Sequence, residues 1–579
     1  MTGRTEPLPL AVRPVAEHAL EGVDPVIARV LAARGMTQPE DIELSLARLA
    51  PVGTLGNVEA AAELLLAHRE GRIVVVGDFD ADGATSTALV LRCLRAFGFA
   101  NTDFLVPNRF DYGYGLSPEI VDVAAQSAPD LIVTVDNGIS SVAGVDRANE
   151  LGIRVLVTDH HLPPEVLPAA DVIVNPNAQG DAYPSKYLAG VGVAFCVMVA
   201  LARRVAGDNP ELARLPARYL DLVALGTVAD VVPLDHNNRI LVHAGLQRIR
   251  SGASVPGIRA LIDVAGRRHG DCVANDLGFA VGPRLNAAGR LEDMAIGIRC
   301  LLTDDPDEAA QLALELDTIN RARREVEADM QDAALAAVAA IEDAAGLPAC
   351  VCLHRVDWHQ GIVGLVASRV RERVHRPVFA FADEGNGRLK GSGRSLPGVH
   401  LRDVLAAVDS QAPGLIDKFG GHAMAAGLSL SASALPDFEA RISEAVSAAH
   451  PDVGRAPNRL TDGTLKTDEL TLALAEALRT VTPWGQGCPE PVFQGCFAVA
   501  SVRVVGERHL KLTLAGGIEA IAFNQADDPL PTTGEWLELA YRLDVNTWRD
   551  SRKLQLVVEQ WQRETRPADG PPRGTLRGF

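Results

Sequence analysis

Three apolar runs, separated by stretches of helical character, dominate the first half of this sequence. The runs are Ile73–Val76, Leu131–Val135 and Val155–Val157. Short runs without polar alternation are typical of strands buried on both faces, and strands that alternate with helices form a parallel sheet. The sequence therefore predicts an α/β domain over residues 61–302.

Acidic and imidazole side chains follow each of these three runs, and a fourth acidic group lies further along the chain. Parallel α/β sheets place their reacting groups outside the carboxyl ends of the strands, so we expect these side chains to converge. Any single Asp could instead cap a helix or form a turn, but four clusters favour one shared site. The clusters are Asp78, Asp80 and Asp82 in GDFDADGAT, Asp136 in TVDNG, Asp159, His160 and His161 in VTDHH, and Asp230 in GTVAD.

The predicted site has the donor atoms of a hard divalent metal site. Carboxylates and an imidazole without thiolates suit Mn²⁺ or Mg²⁺, and the imidazole favours Mn²⁺. Because carboxylates can be shared, we expect two ions about 3.5–4 Å apart, which would activate a water for phosphoryl displacement. Asp80 and Asp82 lie two residues apart after a strand, so we expect both side chains to point toward one ion.

The chain of 579 residues is long enough for several domains. We predict an α/β protein in which a parallel-sheet domain and a second, smaller α/β domain are joined by a long helix and followed by an OB-fold β-barrel. The predicted segments are an N-terminal helical extension (1–60), the parallel-sheet domain (61–302), the connecting helix (303–346), the second α/β domain (347–455), the barrel (456–565) and a disordered tail (566–579).

The long helix is predicted from its start signals and its uninterrupted length. Asp305 supplies an N-cap, Pro306 the first helical position and Glu308 the acid of a capping box. No Gly or Pro follows until Gly346, so at ~1.5 Å per residue the helix would span about 60 Å. A helix of that length is suited to bridging two domains.

Shorter patterns define the rest of the chain. In the second α/β domain we predict strands at Cys350–Leu353 and Val378–Phe381, a helix near Gly361–Val374, and two Gly-rich turns, KGSGRS at 390–395 and FGGHAMAAG at 419–427. Evenly spaced short β runs then predict a small barrel. Its predicted strands are Ala498–Val505, Leu510–Leu514, Glu519–Phe523, Trp536–Leu543 and Leu554–Glu559.

Composition limits the function without deciding it. A net charge of −19 argues mildly against a nucleic-acid partner, but basic residues concentrate between Arg369 and Arg394. The longest apolar run, Leu188–Ala202, is shorter than the ~18 residues of a membrane span, so we expect a buried helix and no membrane. Eight cysteines without a CxxC pair, and no export signal, favour a cytoplasmic protein with reduced thiols.

The acidic motifs resemble, in type and order, those of the DHH phosphoesterase family, and in particular its bacterial single-strand-specific exonucleases. The resemblance covers roughly residues 50–565, with one departure, Phe79, where the family often has Tyr. It implies that residues 61–302 are the DHH catalytic domain and 347–455 a DHH-associated nucleic-acid-binding domain. Further matching segments are PNRFDYGYG at 107–115, GPRLNAAGRL at 282–291, WHQGIVGLVASR at 358–369, SGR at 392–394, FGGHAMAAG at 419–427 and VVGERHLKL at 504–512.

The resemblance implies a role for each clustered residue. Asp136 is the expected bridging ligand. Asp78 and Asp159 would orient the ligands, and His161 would face the scissile phosphate, so that the expected catalytic residues are His161, Asp136 and Asp78. The implied ligand sets are Asp80, Asp136 and Asp230 for one Mn²⁺ or Mg²⁺ ion, and Asp82, Asp136 and His160, with Asp230 as a further candidate, for the other.

Other matching positions imply contacts to nucleic acid. Glycines let a strand approach the backbone, and tyrosines can stack on bases. Gly391 and Gly393, on either side of Ser392, would form a phosphate nest, and Arg394 could bind a 5′-phosphate in bidentate fashion. The expected contacts are Arg109, Tyr114, Arg284, Ser392, Arg394 and His422, with Arg503, Arg508, His509 and Lys511 of the barrel as weaker candidates.

These features predict a monomeric exonuclease that degrades single-stranded DNA from its 5′ end and releases 5′-mononucleotides in recombination and repair. The resemblance implies a repair helicase and a single-strand-binding protein as partners. One alternative is a DHH phosphodiesterase of short oligonucleotides or cyclic dinucleotides, for which the barrel would be superfluous; a pyrophosphatase faces the same objection. The other is a non-catalytic DNA-binding scaffold, against which the complete ligand set argues.

Overall fold

The structure, a computed structural model, describes residues 7–106, 115–506, 508–526, 529–547 and 551–564. The contacts within it divide the chain into two compact units. The large unit comprises Leu10–Asn320 and Leu460–Phe579, and the small unit comprises Met1–Pro9 and Arg321–Arg459. The predicted disordered tail, 566–579, lies outside the described residues.

A parallel five-stranded sheet forms the centre of the large unit. Its order is β3-β2-β4-β5-β6, and every neighbouring pair is parallel. Strands β2 and β4 are buried along their whole length, as a sheet covered on both faces requires. The three predicted strands are therefore confirmed as β2, β4 and β5. Strands β1 to β6 are Leu10–Val12, Ile73–Gly77, Thr102–Leu105, Leu131–Val135, Arg154–Thr158 and Val172–Val174.

Helices cover both faces of this sheet. The apolar run at 188–202 is the buried helix α7, as predicted. Helices α1 to α14 are Pro25–Ala32, Pro39–Ile42, Val58–Ala67, Ala81–Ala96, Pro118–Ala125, Val142–Glu150, Gly190–Val205, Pro210–Ala213, Leu220–Ala229, His236–Arg250, Pro256–Val264, Ala274–Asp276, Gly282–Leu291 and Ala295–Leu302. A π-helical turn, Leu277–Val281, and short 3₁₀ turns at Leu46–Arg48, Val52–Thr54, Leu215–Tyr219 and His269–Asp271 complete this part.

The predicted long helix is confirmed as α15, Pro306–Ala345, and the division between the two units falls within it. Its cap differs from the prediction in one bond. The Asp305 carboxylate accepts from the Asp307 N–H as expected (2.9 Å), but Glu308 accepts from the Thr303 hydroxyl, and the Asp305 N–H donates to that same hydroxyl oxygen (3.1 Å). Thr303 therefore replaces Glu308 as the partner of the Asp305 N–H. The prediction of a capping box between Asp305 and Glu308 is wrong.

The small unit contains a mixed sheet of order β10-β11-β9-β8-β7, in which only the β7–β8 pair is parallel among the described strands. The rings of Phe379, Phe381 and Phe438 pack against one another in its core. Strands β7 to β11 are Val351–His354, Val378–Gly385, Arg388–Arg394, Lys418–Gly421 and Ala425–Ser431. Helices α16 to α18 are Val363–Val374, Leu401–Gln411 and Leu435–Ala449, with a 3₁₀ turn at Ala432–Ala434.

One of the two predicted Gly-rich turns is corrected, because KGSGRS lies mostly in strand β9. FGGHAMAAG forms the hairpin of β10 and β11, with its turn at 422–424. A Cβ at Gly391 or Gly393 would lie 2.4 Å from the ring of Phe381 or Phe379, so these glycines make room for aromatic rings. Strand β9 pairs with β8 on one side and β11 on the other, which leaves no phosphate nest around Ser392.

The C-terminal part of the large unit is a closed barrel of order β13-β14-β15-β17-β16, with β15 and β17 parallel, which confirms the predicted OB-fold. Strands β12 to β17 are Arg459–Thr461, Phe493–Val505, His509–Leu514, Glu519–Ala522, Trp536–Asn546 and Lys553–Arg563. A 3₁₀ turn at Thr467–Glu469 and helix α19, Leu472–Thr480, precede the barrel.

All eight cysteines carry free thiols. Among the described residues, no helix combines the length and apolarity needed to cross a bilayer.

Candidate metal centre and nucleic-acid contacts

The carboxyl edge of the parallel sheet carries the predicted acidic residues. Asp78, Asp136 and Asp159 directly follow β2, β4 and β5. The side-chain amide of Asn137 donates to the Val76 carbonyl (3.1 Å) and to the Val135 carbonyl (2.9 Å), and thereby ties the ends of β2 and β4 together. The sheet therefore brings residues from three distant segments to one place.

Asp136 sits in an unusual backbone conformation at the centre of this edge. Its φ is +62°, in the left-handed region, which Asp tolerates better than most residues but which still costs energy. Helix α7 approaches it so closely that a Cβ at Gly190 would lie 2.6 Å from the Asp136 Cβ. The surrounding packing therefore holds the Asp136 carboxylate in one place.

Asp80 and Asp82 belong to the start of α4 and not to an extended strand, which corrects their predicted common direction. Asp80 caps the helix, and its Oδ1 accepts from the N–H groups of Asp82 and Gly83 at 3.0 Å each. Asp82 lies two residues further on, and its carboxylate accepts from the N–H groups of Gly190 (2.6 Å) and Val191 (2.9 Å) at the start of α7. Because the chain turns into a helix between them, the two carboxylates point to different places.

The side chains form three overlapping clusters, in each of which three ligand atoms lie within 4.8 Å of one another. His160 Nε2 is 3.2 Å from Asp136 Oδ1 and 3.5 Å from Asp230 Oδ2, and so connects two of the clusters. The clusters are Asp78, Asp80 and Asp136; Asp82, His160 and Asp230; and Asp136, His160 and His161. Asp136 belongs to two of them, as expected of a shared ligand.

In this grouping Asp230 lies with Asp82 and His160, in the second of the two ion sets that the resemblance allows for it. Asp230 ends α9, and α9 packs on Asp82, because a Cβ at Gly226 would be 2.8 Å from Asp82 Oδ1. Asp78 joins Asp80 and Asp136 as a candidate ligand. Two groups of three oxygen or nitrogen donors therefore lie side by side.

Asp159 forms a hydrogen-bonded dyad with His161, which is itself a member of one of these clusters. Asp159 Oδ1 accepts from His161 Nδ1 (2.7 Å) and from the His160 N–H (2.7 Å), while its Oδ2 accepts from the Ile139 N–H (2.9 Å). Burial alone would lower the pKa of His161, but its hydrogen bond to Asp159 and the nearby carboxylates outweigh burial and raise the pKa to about 9. Burial alone would raise the pKa of the Asp159 carboxyl, but this bond, the charges of His161 and His160 and the hydrogen bond from Ile139 together lower that pKa.

The clustered carboxylates are buried and repel one another. Burial, together with the charge of Asp230, raises the pKa of Asp82 to about 7, and burial with the charge of Asp80 does the same for Asp230. Burial and the charge of Asp82 also raise the pKa of Asp136. Neither Asp82 nor Asp230 forms an ion pair with a Lys or Arg of the described chain. A divalent cation would relieve this repulsion.

The donor set fits such cations. Burial and the neighbouring His161 lower the pKa of His160, which keeps its ring neutral and able to ligate. Carboxylate oxygens with one imidazole nitrogen suit Mn²⁺ and Mg²⁺ better than soft metals. The residues therefore match two hard cations, with Asp136 between them.

The predicted phosphate contacts of the small unit lie near the start of α16. The Arg394 guanidinium donates to the Ser392 hydroxyl oxygen (2.9 Å) and to the Gly393 carbonyl (2.8 Å). A Cβ at Gly364, in the first turn of α16, would lie 2.6 Å from Arg394 Nη2 and 2.9 Å from Ser392 Oγ. A cation, a hydroxyl and a helix N-terminus thus meet, which is a favourable combination for phosphate.

The other predicted nucleic-acid contacts lie in different environments. Arg284 is buried, and its guanidinium pairs with Asp317 of α15 (2.8 Å) and donates to the Ala280 carbonyl. His422 is exposed in the hairpin between β10 and β11. Arg109 and Tyr114 lie outside the described residues. The structure therefore brings Ser392 and Arg394 together and gives Arg284 a buried ion pair.

Sequence reasoning missed several residues around these sites. Asn286 of α13 accepts from the Ala81 N–H (2.8 Å) and so holds the start of α4. On the barrel, the half-exposed Phe523 packs edge-on against His509, with ring centroids 5.3 Å apart. Asn286 lies within the matching segment GPRLNAAGRL, which was a usable signal. Phe523 directly follows β15, and no motif in the sequence marks it.

Comparisons with known proteins cover nearly the whole chain. The family models that match are the DHH family, N-terminal domain, at residues 72–227, the DHHA1 domain at 347–448 and the RecJ OB domain at 461–560. The single-stranded-DNA-specific exonuclease RecJ of Dickeya dadantii (strain 3937) is 51% identical over 568 residues, which cover 94% of this chain and 98% of that protein.

Solved structures agree with this similarity. RecJ of Thermus thermophilus in complex with Mn²⁺ has a TM-score of 0.77 and 34% identity, over 94% of this chain and 76% of that one. The same protein in complex with Mg²⁺ has a TM-score of 0.72 and 32% identity, over 95% of this chain and 76% of that one. On these similarities the chain belongs to the RecJ family.

Proposed function

We propose that this protein is a single-stranded-DNA-specific exonuclease that hydrolyses phosphodiester bonds with two divalent cations. The observation that carries the proposal is the set of overlapping carboxylate and imidazole clusters at the carboxyl edge of the sheet. Relatives named as single-stranded-DNA-specific exonucleases support the choice of substrate.

Mn²⁺ or Mg²⁺ is the proposed cofactor, since solved RecJ structures contain each of them. Asp78, Asp80 and Asp136 would hold one ion, and Asp82, His160 and Asp230 the other, with Asp136 shared. Bound there, the two ions would activate a water and offset negative charge on the phosphate. The buried N–H groups that hold Asp82 fix its carboxylate before any ion binds.

His161 is proposed to act on the scissile phosphate. Asp159 fixes the orientation of its ring through Nδ1 and keeps it protonated near neutral pH, because the pKa of His161 is raised to about 9. A protonated imidazole can donate a hydrogen bond to a phosphate oxygen and stabilise the charge that develops there. Asp159 therefore acts as a positioning residue and His161 as a catalytic one.

Strand polarity is proposed to come from the small unit. Ser392, Arg394 and the start of α16 would bind a terminal 5′-phosphate, with His422, Arg284, Arg109 and Tyr114 as further proposed contacts. An enzyme that holds the 5′ end in this way would degrade DNA in the 5′→3′ direction and release 5′-mononucleotides. His509, Lys511 and their neighbours on the barrel would extend the path of the strand.

The biological setting belongs to the same proposal. An enzyme of this activity acts on exposed single strands in recombination and repair, as a monomer in the bacterial cytoplasm. A helicase would supply such strands and a single-strand-binding protein would cover them. The free thiols fit a reducing compartment.

The test is digestion of matched oligonucleotides that are single- or double-stranded and carry a 5′ or a 3′ label. With Mn²⁺, a 5′-labelled single strand is expected to release labelled mononucleotide first, while the duplex stays intact. Asp136→Ala is expected to abolish turnover and to keep DNA binding. Digestion only of di- and trinucleotides or cyclic dinucleotides would favour the small-substrate phosphodiesterase, and DNA binding without hydrolysis in Mn²⁺ would favour the scaffold.

A further inference from the structure

The loop that follows Asp230 is held in a costly conformation. This loop, residues 231–235, begins with Val231, whose φ is +62° and whose side chain is 62% exposed. A β-branched residue in the left-handed region is a real outlier and persists only where the surroundings impose it. Because most of the Val231 side chain is exposed, its burial does little to offset this cost, and the two ends of the loop are the parts that hydrogen bonds constrain.

The first end is fixed by α9. The Asp230 N–H donates to the Gly226 carbonyl (2.9 Å), and the Val231 N–H donates to the Val228 carbonyl (3.3 Å). These bonds close the last turn of α9 and place Asp230 at its end. They do not determine how the chain continues past Val231.

The second end is fixed by a turn near the barrel. Residues 484–488 form this turn, which is closed by backbone hydrogen bonds between Gly485 and Cys488 (2.8 and 3.1 Å). The Leu234 N–H donates to the Gln486 carbonyl at 2.7 Å. The turn lies within the residues that match the RecJ OB domain, about 250 positions from Asp230 in sequence.

The two segments also pack closely. A Cβ at Gly485 would lie 2.8 Å from Leu234 Cδ1, and one at Gly487 would lie 3.3 Å from the Pro233 Cβ. Leu234 is 3% exposed, and Trp484 at the base of the turn is buried and donates to the Leu478 carbonyl (2.7 Å). The turn is therefore a rigid surface against which the loop is pressed.

We propose that the 484–488 turn positions Asp230 for cation binding by holding the 231–235 loop through Leu234. The barrel region thus completes the metal centre in addition to contacting DNA. The inference rests on the proposed role of Asp230 as a ligand. It makes Leu234 and Gly485 positioning residues for the cation that Asp82, His160 and Asp230 would share.

The test is calorimetric titration of the full-length protein with Mn²⁺ alone, without DNA. Leu234→Ala removes the contact from the loop side, and Gly485→Val distorts it from the turn side. Both are expected to weaken binding of one of two Mn²⁺ ions about 10-fold or more, as loss of a group that orients a ligand commonly does. The other ion is expected to keep its affinity.

Leu246→Ala is the matched control. Leu246 is also 3% exposed and lines a small cavity with Trp484, but it is not followed or preceded by a candidate ligand. Leu246→Ala is expected to lower the thermal stability about as much as Leu234→Ala does. It is expected to bind both Mn²⁺ ions as tightly as the wild type. If Leu234→Ala and Gly485→Val bind Mn²⁺ as Leu246→Ala does, the inference is overturned.

Two further variants separate the possible failures. Asp230→Asn is expected to lose one ion; if it retains both, the ligand role of Asp230 fails, and with it the proposed site. If the first two variants fold poorly, Gly485→Ala places a methyl group against Leu234, and adding Leu234→Val makes room for it. Restored Mn²⁺ affinity in that double variant supports the inference, and affinity no better than that of Gly485→Ala alone overturns it.

Discussion

At the scale of single residues, the metal centre consists of carboxylates whose negative charges repel one another when no cation is bound. Asp82 and Asp230 have pKa values raised to about 7, and burial is the largest cause at both. Backbone N–H groups hold the Asp82 carboxylate, while repulsion from its neighbours disfavours its charge. The Asp82 carboxylate is thus held in place, but the negative charges of the site are not balanced by positive ones.

This charge imbalance should make the stability of the metal-free protein depend on pH. Asp82 and Asp230 titrate near 7 when folded and near the ordinary value of about 3.9 when unfolded. Between these two pKa values the folded state binds more protons than the unfolded state. The free energy of unfolding is therefore expected to fall as the pH rises from about 4 to about 7. Calorimetry in chelator at several pH values measures this, and Asp230→Asn should flatten the slope. A melting temperature that rises over the range in the wild type but not in Asp230→Asn would contradict it.

The Asp159–His161 dyad gives a second prediction at this scale. Asp159→Asn keeps the size of the side chain but removes the charge that raises the pKa of His161 to about 9. We expect the ring to lose its proton near neutral pH and kcat to fall more at pH 8.5 than at pH 6.5. A pH–rate profile measures this directly. A loss that is equal at all pH values would show that Asp159 acts only through structure.

At the scale of elements, the sequence predicted what depends on local pattern. The buried strands β2, β4 and β5, the helix α15 and the closed barrel follow from apolar runs and breakers. Asp78, Asp136 and Asp159 were placed at one edge because that edge follows from parallel strands. The directions of Asp80 and Asp82 were missed, because the point where a strand gives way to a helix cannot be read from spacing alone.

The Gly-rich strands illustrate what sequence could not supply. Gly391 and Gly393 leave room for the rings of Phe381 and Phe379, which lie on the neighbouring strand β8. This contact can be recognised only when the pairing of β8 with β9 is known. Local composition alone favours a turn at such positions. Similarly, the pairing of Arg284 with Asp317 requires knowing how α13 meets the start of α15.

Gly391→Ala tests this account of β9. The new methyl group would lie 2.4 Å from the Phe381 ring, so we expect overpacking to cost about 1–3 kcal/mol in the free energy of unfolding. Gly427→Ala on the neighbouring strand β11 is the control, because its Cβ would meet only a carbonyl oxygen at 3.8 Å. Thermal or urea unfolding of both variants gives the difference. Equal stability of the two would refute the packing role of Gly391.

At the scale of the whole molecule, net charge says little about function. The chain carries −19 overall, yet it places Arg394 beside a hydroxyl and a helix start, and it concentrates acids where cations are needed. The large unit is also held together across great sequence distances. Arg34 of the N-terminal region pairs with Asp462 at 2.7 Å, both side chains being 1% exposed, and its guanidinium lies over Trp484.

The Arg34–Asp462 pair should therefore matter for the assembly of the large unit. Arg34→Met leaves a buried carboxylate without its partner, and we expect a loss of about 3–5 kcal/mol in the free energy of unfolding. Adding Asp462→Asn removes the stranded charge while keeping an acceptor for the Val492 N–H, and should recover much of that loss. Denaturant unfolding compares the two. A double variant no more stable than Arg34→Met would argue against the ion pair as the cause.

Side chains at the ends of β2, β4 and β5 and on α4 and α9 are proposed to share a pair of cations. Anomalous diffraction from crystals grown with Mn²⁺, compared with crystals of Asp136→Ala, locates these cations. We expect two peaks about 3.5–4 Å apart in the wild type, one among Asp78, Asp80 and Asp136 and one among Asp82, His160 and Asp230, and a weakened or absent pair in the variant. Peaks at other side chains, or an unchanged pair in Asp136→Ala, would contradict this proposal.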